Sequence, residues 1–580
     1  MVRLRPHFSR DGDIRAVGSH RKLGDLLGPF VPLPVVVVGT VLLLAGPLVA
    51  QGPVVLDGRF DDWDLAAVTV PDGVYAPGAE PGFRVVKASH DDGAVYLLLD
   101  LGRPLNVLSL DGTVSILFDA DGDPSTGSAL HGLRGVDLVV DLPPPYPIVG
   151  GPPGIGAGVR LATGGSSRGA DAGTDAGVAG GPTDGAFSRH DSYDVGLTFA
   201  PTYASRFVEL RIDRGYGALG GVGPAGGVTL FAGDRYTARL VFTGPDGSVG
   251  QGTGTPPFTY ELVGGHPRPP PAGEEDPLER APGTSFRVLA WNVSRGNLLD
   301  RKDRFARVLA AARPDIILLD EAPAGAAEEI ADFLSGLPGP EGEDWHLLYG
   351  EAGGPQRGVI ASRRPVIAVQ ELEEILYPDS LFEQLKSLAG RSRPIGFGGP
   401  EAGVPALGGI VELKDARLLI VTLDLQCCGN GTETVEEYVR QLEVAAIHEA
   451  LTEALARHGG GVDAVIVAGD FNLVGSREPL ETMLREMDVD GSGLAVAEAL
   501  QLDGLSNATW DGGAGPFPPA RLDFMLFGDA SLRLERAFVL ETRDLTDEWL
   551  DHHGLRAEDT ERASDHLPVL ADFSWVGPRP

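Results

Sequence analysis

Cysteine is nearly absent from this 580-residue chain, which has two, adjacent at Cys427 and Cys428. Neighbours in sequence cannot staple distant segments, so a disulfide-framed fold is excluded and stability must come from apolar cores and bound ions. The pair reads as two reduced, small apolar side chains, with a strained vicinal disulfide as the other reading. Basic residues are also short. Lys and Arg total 47 against 82 Asp and Glu, a formal charge of -35 at pH 7. That balance opposes long-range attraction to nucleic acid or anionic membrane and leaves a local basic groove as the way to hold either. Long apolar runs are limited to one, the uncharged stretch 27–50, which comes after Arg3, Arg5, Arg10, Arg15, Arg21 and Lys22. A basic leader before an apolar stretch reads as an export signal over residues 1–50, either cleaved after Ala50 or kept as a membrane anchor. The rest of the chain is then extracytoplasmic.

What the chain has in excess is glycine, 81, and proline, 46, much of it in recognisable spacers. The length exceeds what one core organises, so at least two domains are expected. Over residues 53–264 short strand-like runs at 83–88, 95–101, 114–118, 136–140 and 236–242 are separated by Gly, Pro and Asp, the texture of an all-β sandwich. Inside it, residues 150–185 are rich in Gly, Ala, Ser and Asp and read as a disordered surface loop. Residues 265–283, with Pro269, Pro270 and Pro271, read as a stiff interdomain linker. From residue 284 to the end, apolar strands at 286–291, 316–319, 358–362, 418–423 and 465–467 alternate with helical spacing at 301–313 and 435–457. This is the pattern of an α/β domain.

Two features of the first domain carry chemistry. Its opening Val55-Leu-Asp-Gly-Arg-Phe-Asp-Asp-Trp63 and the later Asp119-Ala-Asp-Gly-Asp-Pro124 together resemble sandwich modules related to family 9 carbohydrate-binding domains. The resemblance implies a carbohydrate or surface ligand. Asp119, Asp121 and Asp123 alternate around a glycine and offer the oxygen ligands that Ca²⁺ takes, although the distal glutamate of an EF-hand loop is missing. A solvated Asp-rich turn is the equal alternative.

The second domain carries five short pieces at strand ends: Leu289-Ala-Trp-Asn292, Pro314-Asp-Ile-Ile-Leu-Leu-Asp-Glu321, Gly469-Asp-Phe-Asn472, Arg521-Leu-Asp-Phe524 and Ser564-Asp-His-Leu-Pro568. Each alone is explained by a cap or a turn. In this order, over nearly 300 residues, they resemble the endonuclease/exonuclease/phosphatase superfamily, which includes nucleases, sphingomyelinases and inositol polyphosphate phosphatases. The resemblance implies a four-layered α/β sandwich, two packed sheets flanked by helices. It also implies a metal-dependent phosphoric ester hydrolase acting on a nucleotide, nucleic acid, phospholipid or sugar phosphate through an activated water.

By that resemblance Asn292, Glu321 and Asp565 bind Mg²⁺ or Mn²⁺, hard cations suited to oxygen ligands. Asp470 orients or deprotonates the water, Asn472 and His566 contact the phosphate, and Asp523 holds His566. One position departs: Asp424 stands where the family carries His or Tyr. A carboxylate there repels phosphate unless it is protonated or binds a second metal. Arg440 and Arg357 are the candidates for compensating substrate contacts; Tyr349 lies near a position where some family branches carry a site tyrosine, with a core aromatic as the equal reading, and residues 375–409 are the candidate specificity insertion. The rival reading is a non-catalytic extracellular binding protein on a decayed hydrolase scaffold. Retention of so many costly carboxylates opposes it.

Overall fold

The computed structural model describes residues 54–66, 68–69, 83–148, 151, 153–163, 186–215, 229–245, 254–263, 275–339, 344–389, 400–429 and 431–577. The leader 1–50 and most of the Pro-rich segment lie outside these residues. Among the described residues, no helix is long and apolar enough to cross a membrane. Residues 50–580 form one compact unit.

The N-terminal part is built from two antiparallel sheets. One has five strands in the order Val68–Thr69, Arg84–His90, Ala94–Leu105, Ser205–Asp213, Thr198–Ala200. The other has six, Phe258–Glu261, Arg235–Thr243, Thr113–Asp119, Leu138–Leu142, Gly158–Ala162, Phe187–His190. Alternation along the strands fills the space between them: Val95, Leu97 and Leu99 from the first sheet meet Val114, Ile116 and Phe118 from the second in one core. The five expected strands are present. The Gly-rich stretch 150–185 needs correcting, because Gly158–Ala162 pairs in register with Leu138–Leu142 and is a strand of the sandwich. A run of Gly158-Val-Arg-Leu-Ala162 has enough apolar character to add to an existing edge once a neighbour supplies the hydrogen bonds. Residues 164–185 lie outside the described set.

The C-terminal part has four layers. A seven-stranded sheet runs His346–Tyr349, Gln356–Ser362, Ile316–Pro323, Phe286–Asn292, Val569–Trp575, Leu532–Val539, Leu500–Gln501. A six-stranded sheet runs Val366–Ala368, Ala406–Leu413, Ala416–Asp424, Ala464–Asp470, Asp523–Phe527, Ala495–Val496. Period-two alternation assigns each strand residue to a layer. Val288, Ala290, Ile420 and Ile466 face inward between the sheets. Leu289 and Trp291 face outward against Phe305 and Val308 of the helix Lys302–Ala312. Val421, Val465 and Val467 pack against Val444, Ile447 and Leu451 of the helix Val435–His458.

The end of the expected linker is not free. Leu278 is fully buried in the C-terminal core, and the buried Arg287 donates to the Leu278 carbonyl at 2.9 Å and pairs with Asp572 at 2.6 Å.

Candidate active site

Strand register alone gathers the acidic residues. Asp424 is opposite Asp470 in the parallel pair, and Asp470 is opposite Asp523 in the antiparallel one, so three carboxylates line the ends of three adjacent strands. Across the sandwich Asn292 is opposite Asp320. The strand Ile316–Pro323 breaks register against its neighbour between Leu319 and Ala322. Such a bulge re-aims a side chain at a sheet end, and here it falls on Asp320-Glu321. Glu321 and Asn472 both adopt left-handed backbone, φ 53° and 48°, at a cost of about 1–3 kcal/mol each that the surrounding packing must offset. Gly469 is obligatory: at φ 139° a Cβ would sit 2.0 Å from the Leu423 carbonyl oxygen, so only glycine lets the strand deliver Asp470.

The side chains interlock. Asn292, fully buried, donates to Glu321 Oε1 and to Asp470 Oδ2, both at 3.2 Å. Asp470 accepts the Asn472 backbone N–H at 2.8 Å, and Asn472 donates its amide to the Leu425 carbonyl at 2.8 Å. Asp523 Oδ2 lies 2.8 Å from His566 Nδ1 and also accepts from the Thr509 hydroxyl at 2.6 Å. His566 Nε2 then points toward Asp470 Oδ2 at 3.7 Å. Trp291 fixes the loop by donating to the His566 carbonyl at 2.8 Å. Asp565 is exposed at the rim, where Trp510 donates to it at 3.4 Å.

Charge is poorly balanced in this cluster. Burial pushes the Asp470 carboxyl up to about 7, His566 working against it. Burial, then Glu321 and Asp470, raise Asp424 well above the carboxylate range. Asp320 is raised by burial, Asp523 and Asp470; one of its oxygens accepts the Asp470 backbone N–H at 2.9 Å, and the other is buried with no hydrogen bond. Burial opposes a charged His566, but Asp523 and Asp470 outweigh it and hold the ring protonated well above its usual range. Arg295, largely exposed, lies 3.6 Å from Glu321.

Residues 289–566 match the Endonuclease/Exonuclease/phosphatase family. The C-terminal domain belongs to this family. The match spans just under half of the chain, and no curated protein matches the chain significantly. Among solved structures the chain is similar to D. rerio TDP2 complexed with a single-strand DNA product, at 17% identity and a TM-score of 0.32, covering 50% of this chain and 98% of that one. It is similar to the human Nocturnin catalytic domain at 17% and 0.32, covering 50% and 94%. ANGEL2, a 2',3'-cyclic phosphatase, gives 15% and 0.34, covering 51% and 96%.

A cleft of about 220 Å³ has Glu321, Asp470, Asn472, Asp565 and His566 in its lining. The residues expected to compensate for Asp424 lie elsewhere. Arg440 is fully buried, paired with Glu437 at 3.0 Å, and donates to the carbonyls of Gln426 and Cys428. It holds the loop that presents Cys427 and Cys428 to the cleft. Arg357 donates to the Ala352 carbonyl at 3.0 Å, and the Tyr349 hydroxyl to the Pro323 carbonyl at 2.5 Å. None of the three lines the cleft. Sequence reasoning misses Asp320, beside Glu321, and Trp510 and Thr509, whose roles depend on a loop with no strand or helix signal.

The donors fit a hard divalent cation: carboxylate and amide oxygens, with buried acids whose mutual repulsion a cation would relieve. Among the described residues the tight trios of candidate ligands lie outside this cleft, at Asp119, Asp121 and Asp137 and at Asp276, His552 and His553. The first overlaps the expected Ca²⁺ set of Asp119, Asp121 and Asp123 without matching it. Asp137 stands in this trio and Asp123 does not; Asp123 Oδ1 accepts the Ser125 backbone N–H and hydroxyl.

Proposed function

We propose that this chain is an exported phosphoesterase that depends on Mg²⁺ or Mn²⁺. The observation that carries the reading is the arrangement of Asp470 between the Asp523–His566 pair and the Asn292–Glu321 pair at one end of both sheets. Glu321 and Asn292, with Asp565 at the rim, would hold the cation, which when bound neutralises phosphate oxygens. Asp470 orients the attacking water and takes its proton. Protonated His566, fixed through Nδ1 by Asp523, presents Nε2–H to the phosphate and stabilises charge on it during attack. Asp424 is compatible with this chemistry when protonated or beside a second cation. Export rests on the basic leader and the apolar stretch 27–50.

Hydrolysis of bis-para-nitrophenyl phosphate and para-nitrophenyl phosphate by the chain, with Mg²⁺, Mn²⁺ or chelator, tests the reading beside Glu321→Ala and His566→Ala. Metal-dependent turnover lost in both variants is expected. Turnover in chelator, or undiminished by either substitution, sinks the assignment.

A further inference from the structure

The cleft over the catalytic cluster is not built by the phosphatase-family domain alone. Leu108, Phe199 and Thr202, all from the N-terminal sandwich, line it together with Asp470 and His566. They reach it because the sandwich is bonded to the loops that carry the cluster. Asn106 donates to the Val474 carbonyl at 2.6 Å, and the Ala204 N–H to the Gly475 carbonyl at 2.8 Å, just beyond Asn472. Thr202 donates to the Arg521 carbonyl at 3.2 Å, two residues before Asp523. Tyr193 donates to the Phe517 carbonyl at 3.1 Å and accepts the Gly512 N–H at 3.1 Å, while Asp191 accepts the Gly515 N–H at 2.8 Å.

Apolar packing crosses in both directions. Phe517 of the C-terminal loop packs on the sandwich core, and Tyr203 of the sandwich packs on the C-terminal core. Gly156, at φ 87°, lets the Pro516 carbonyl approach so closely that a Cβ would lie 2.1 Å from it. A seam of this kind is a fixed joint, not a tether.

We propose that the sandwich is one wall of the active site, and that this wall selects small phosphate esters carrying a compact apolar, ring-sized group over polymeric nucleic acid. The inference rests on the hydrolase reading given above. Its argument is shape and chemistry. The cleft's lining combines the acidic cluster of Glu321, Asp470 and Asp565, which would hold the cation and phosphate, with Leu108 and Phe199 of the sandwich and Phe517, Pro518 and Leu522 of the C-terminal domain, an apolar surface suited to a ring. At about 220 Å³ the space is below the roughly 300 Å³ at which sites for drug-sized ligands begin, enough for a phosphate and one ring. A chain of net charge -35 also offers a nucleic-acid duplex little long-range attraction.

The test uses the chain in Mg²⁺ with two phosphonates, phenylphosphonate and methylphosphonate, which carry a P–C bond in place of the scissile ester, so binding is read by calorimetry whether or not esters turn over. Phenylphosphonate is expected to bind about tenfold tighter, and Leu108→Ala and Phe199→Leu each to cut that preference to about twofold, the scale of adding or removing a few methylenes of pocket wall. Equal or undetectable binding of the two, or a preference unchanged in both variants, overturns the wall. Cleavage of a short DNA duplex as fast as bis-para-nitrophenyl phosphate overturns it too. Intact phosphonate preference with no ester turnover would instead remove the hydrolase reading and leave the pocket standing.

Discussion

At the scale of single residues the proposed reading divides the site into groups that would touch the reacting atoms and groups that would aim them. Under the proposed reading Asp523 is of the second kind: its carboxylate takes both His566 Nδ1 and the Thr509 hydroxyl, and it does not line the cleft. Asp523→Asn keeps the shape and removes the charge that holds His566 in one orientation. The expected result is a fall in kcat of roughly 10–100-fold with KM nearly unchanged, measured on the ester that turns over best. A rise in KM with kcat preserved would show that Asp523 serves binding instead. Asp470, Asn472, Asp523 and His566 are legible in the sequence because each sits at a strand end inside a short run of distinctive order. Asp320 is not, because its meaning depends on a bulge in the strand Ile316–Pro323, and a bulge leaves no signature in the alternation of apolar residues. Arg440 misleads for the opposite reason. An arginine on a helix face looks available from sequence, yet here it is the buried counter-charge of Glu437 and the clasp of the cysteine loop.

At the scale of elements the strands are the legible part, since a fully buried strand is a run of β-branched and aliphatic residues whatever surrounds it. Short helices with tertiary roles are harder; Asp379–Ala389 lies in the segment expected to be an insertion, where no helical spacing stood out. The Asp-rich turn shows how a loop completes a site that sequence began. Asp119 and Asp121 come from the run around Gly122, and Asp137 comes from the hairpin after it. Asp119 is buried and its Oδ1 has no hydrogen bond, an oxygen left for a cation to take. Burial first, then the Asp121 charge, push both Asp119 and Asp137 up to about 6. Ca²⁺ at a hundredfold excess over its Kd is expected to stabilise the fold by about 2.7 kcal/mol, raising Tm by about 2 °C for a unit of this size. Asp137→Asn should abolish that rise and Asp123→Asn leave it intact. The reverse pattern in a thermal melt would restore the ligand set read from sequence.

At the scale of the whole molecule the sequence suggests two domains on a stiff linker, and the structure joins them through a seam that sequence could not announce. Most of the acceptors named at that seam are backbone carbonyls, those of Val474, Gly475, Phe517 and Arg521. Every residue owns a carbonyl, so no residue type marks the contact. The donors to those carbonyls are ordinary too, the side chains of an asparagine, a threonine and a tyrosine and the backbone N–H of Ala204. The seam has a thermodynamic consequence. If the sandwich and the phosphatase-family domain share side chains in each other's cores, neither can unfold without exposing apolar surface of the other. A single calorimetric transition is therefore expected, with the van't Hoff enthalpy close to the calorimetric one. Phe517→Ser removes the ring by which the C-terminal loop packs on the sandwich core and should split the melt into two steps, the cleft losing its phenylphosphonate preference in the first. Two transitions already present in the unsubstituted chain would mean that the seam holds more loosely than its hydrogen bonds imply, and the sandwich wall would then be a gate that opens, not a fixed boundary of the site.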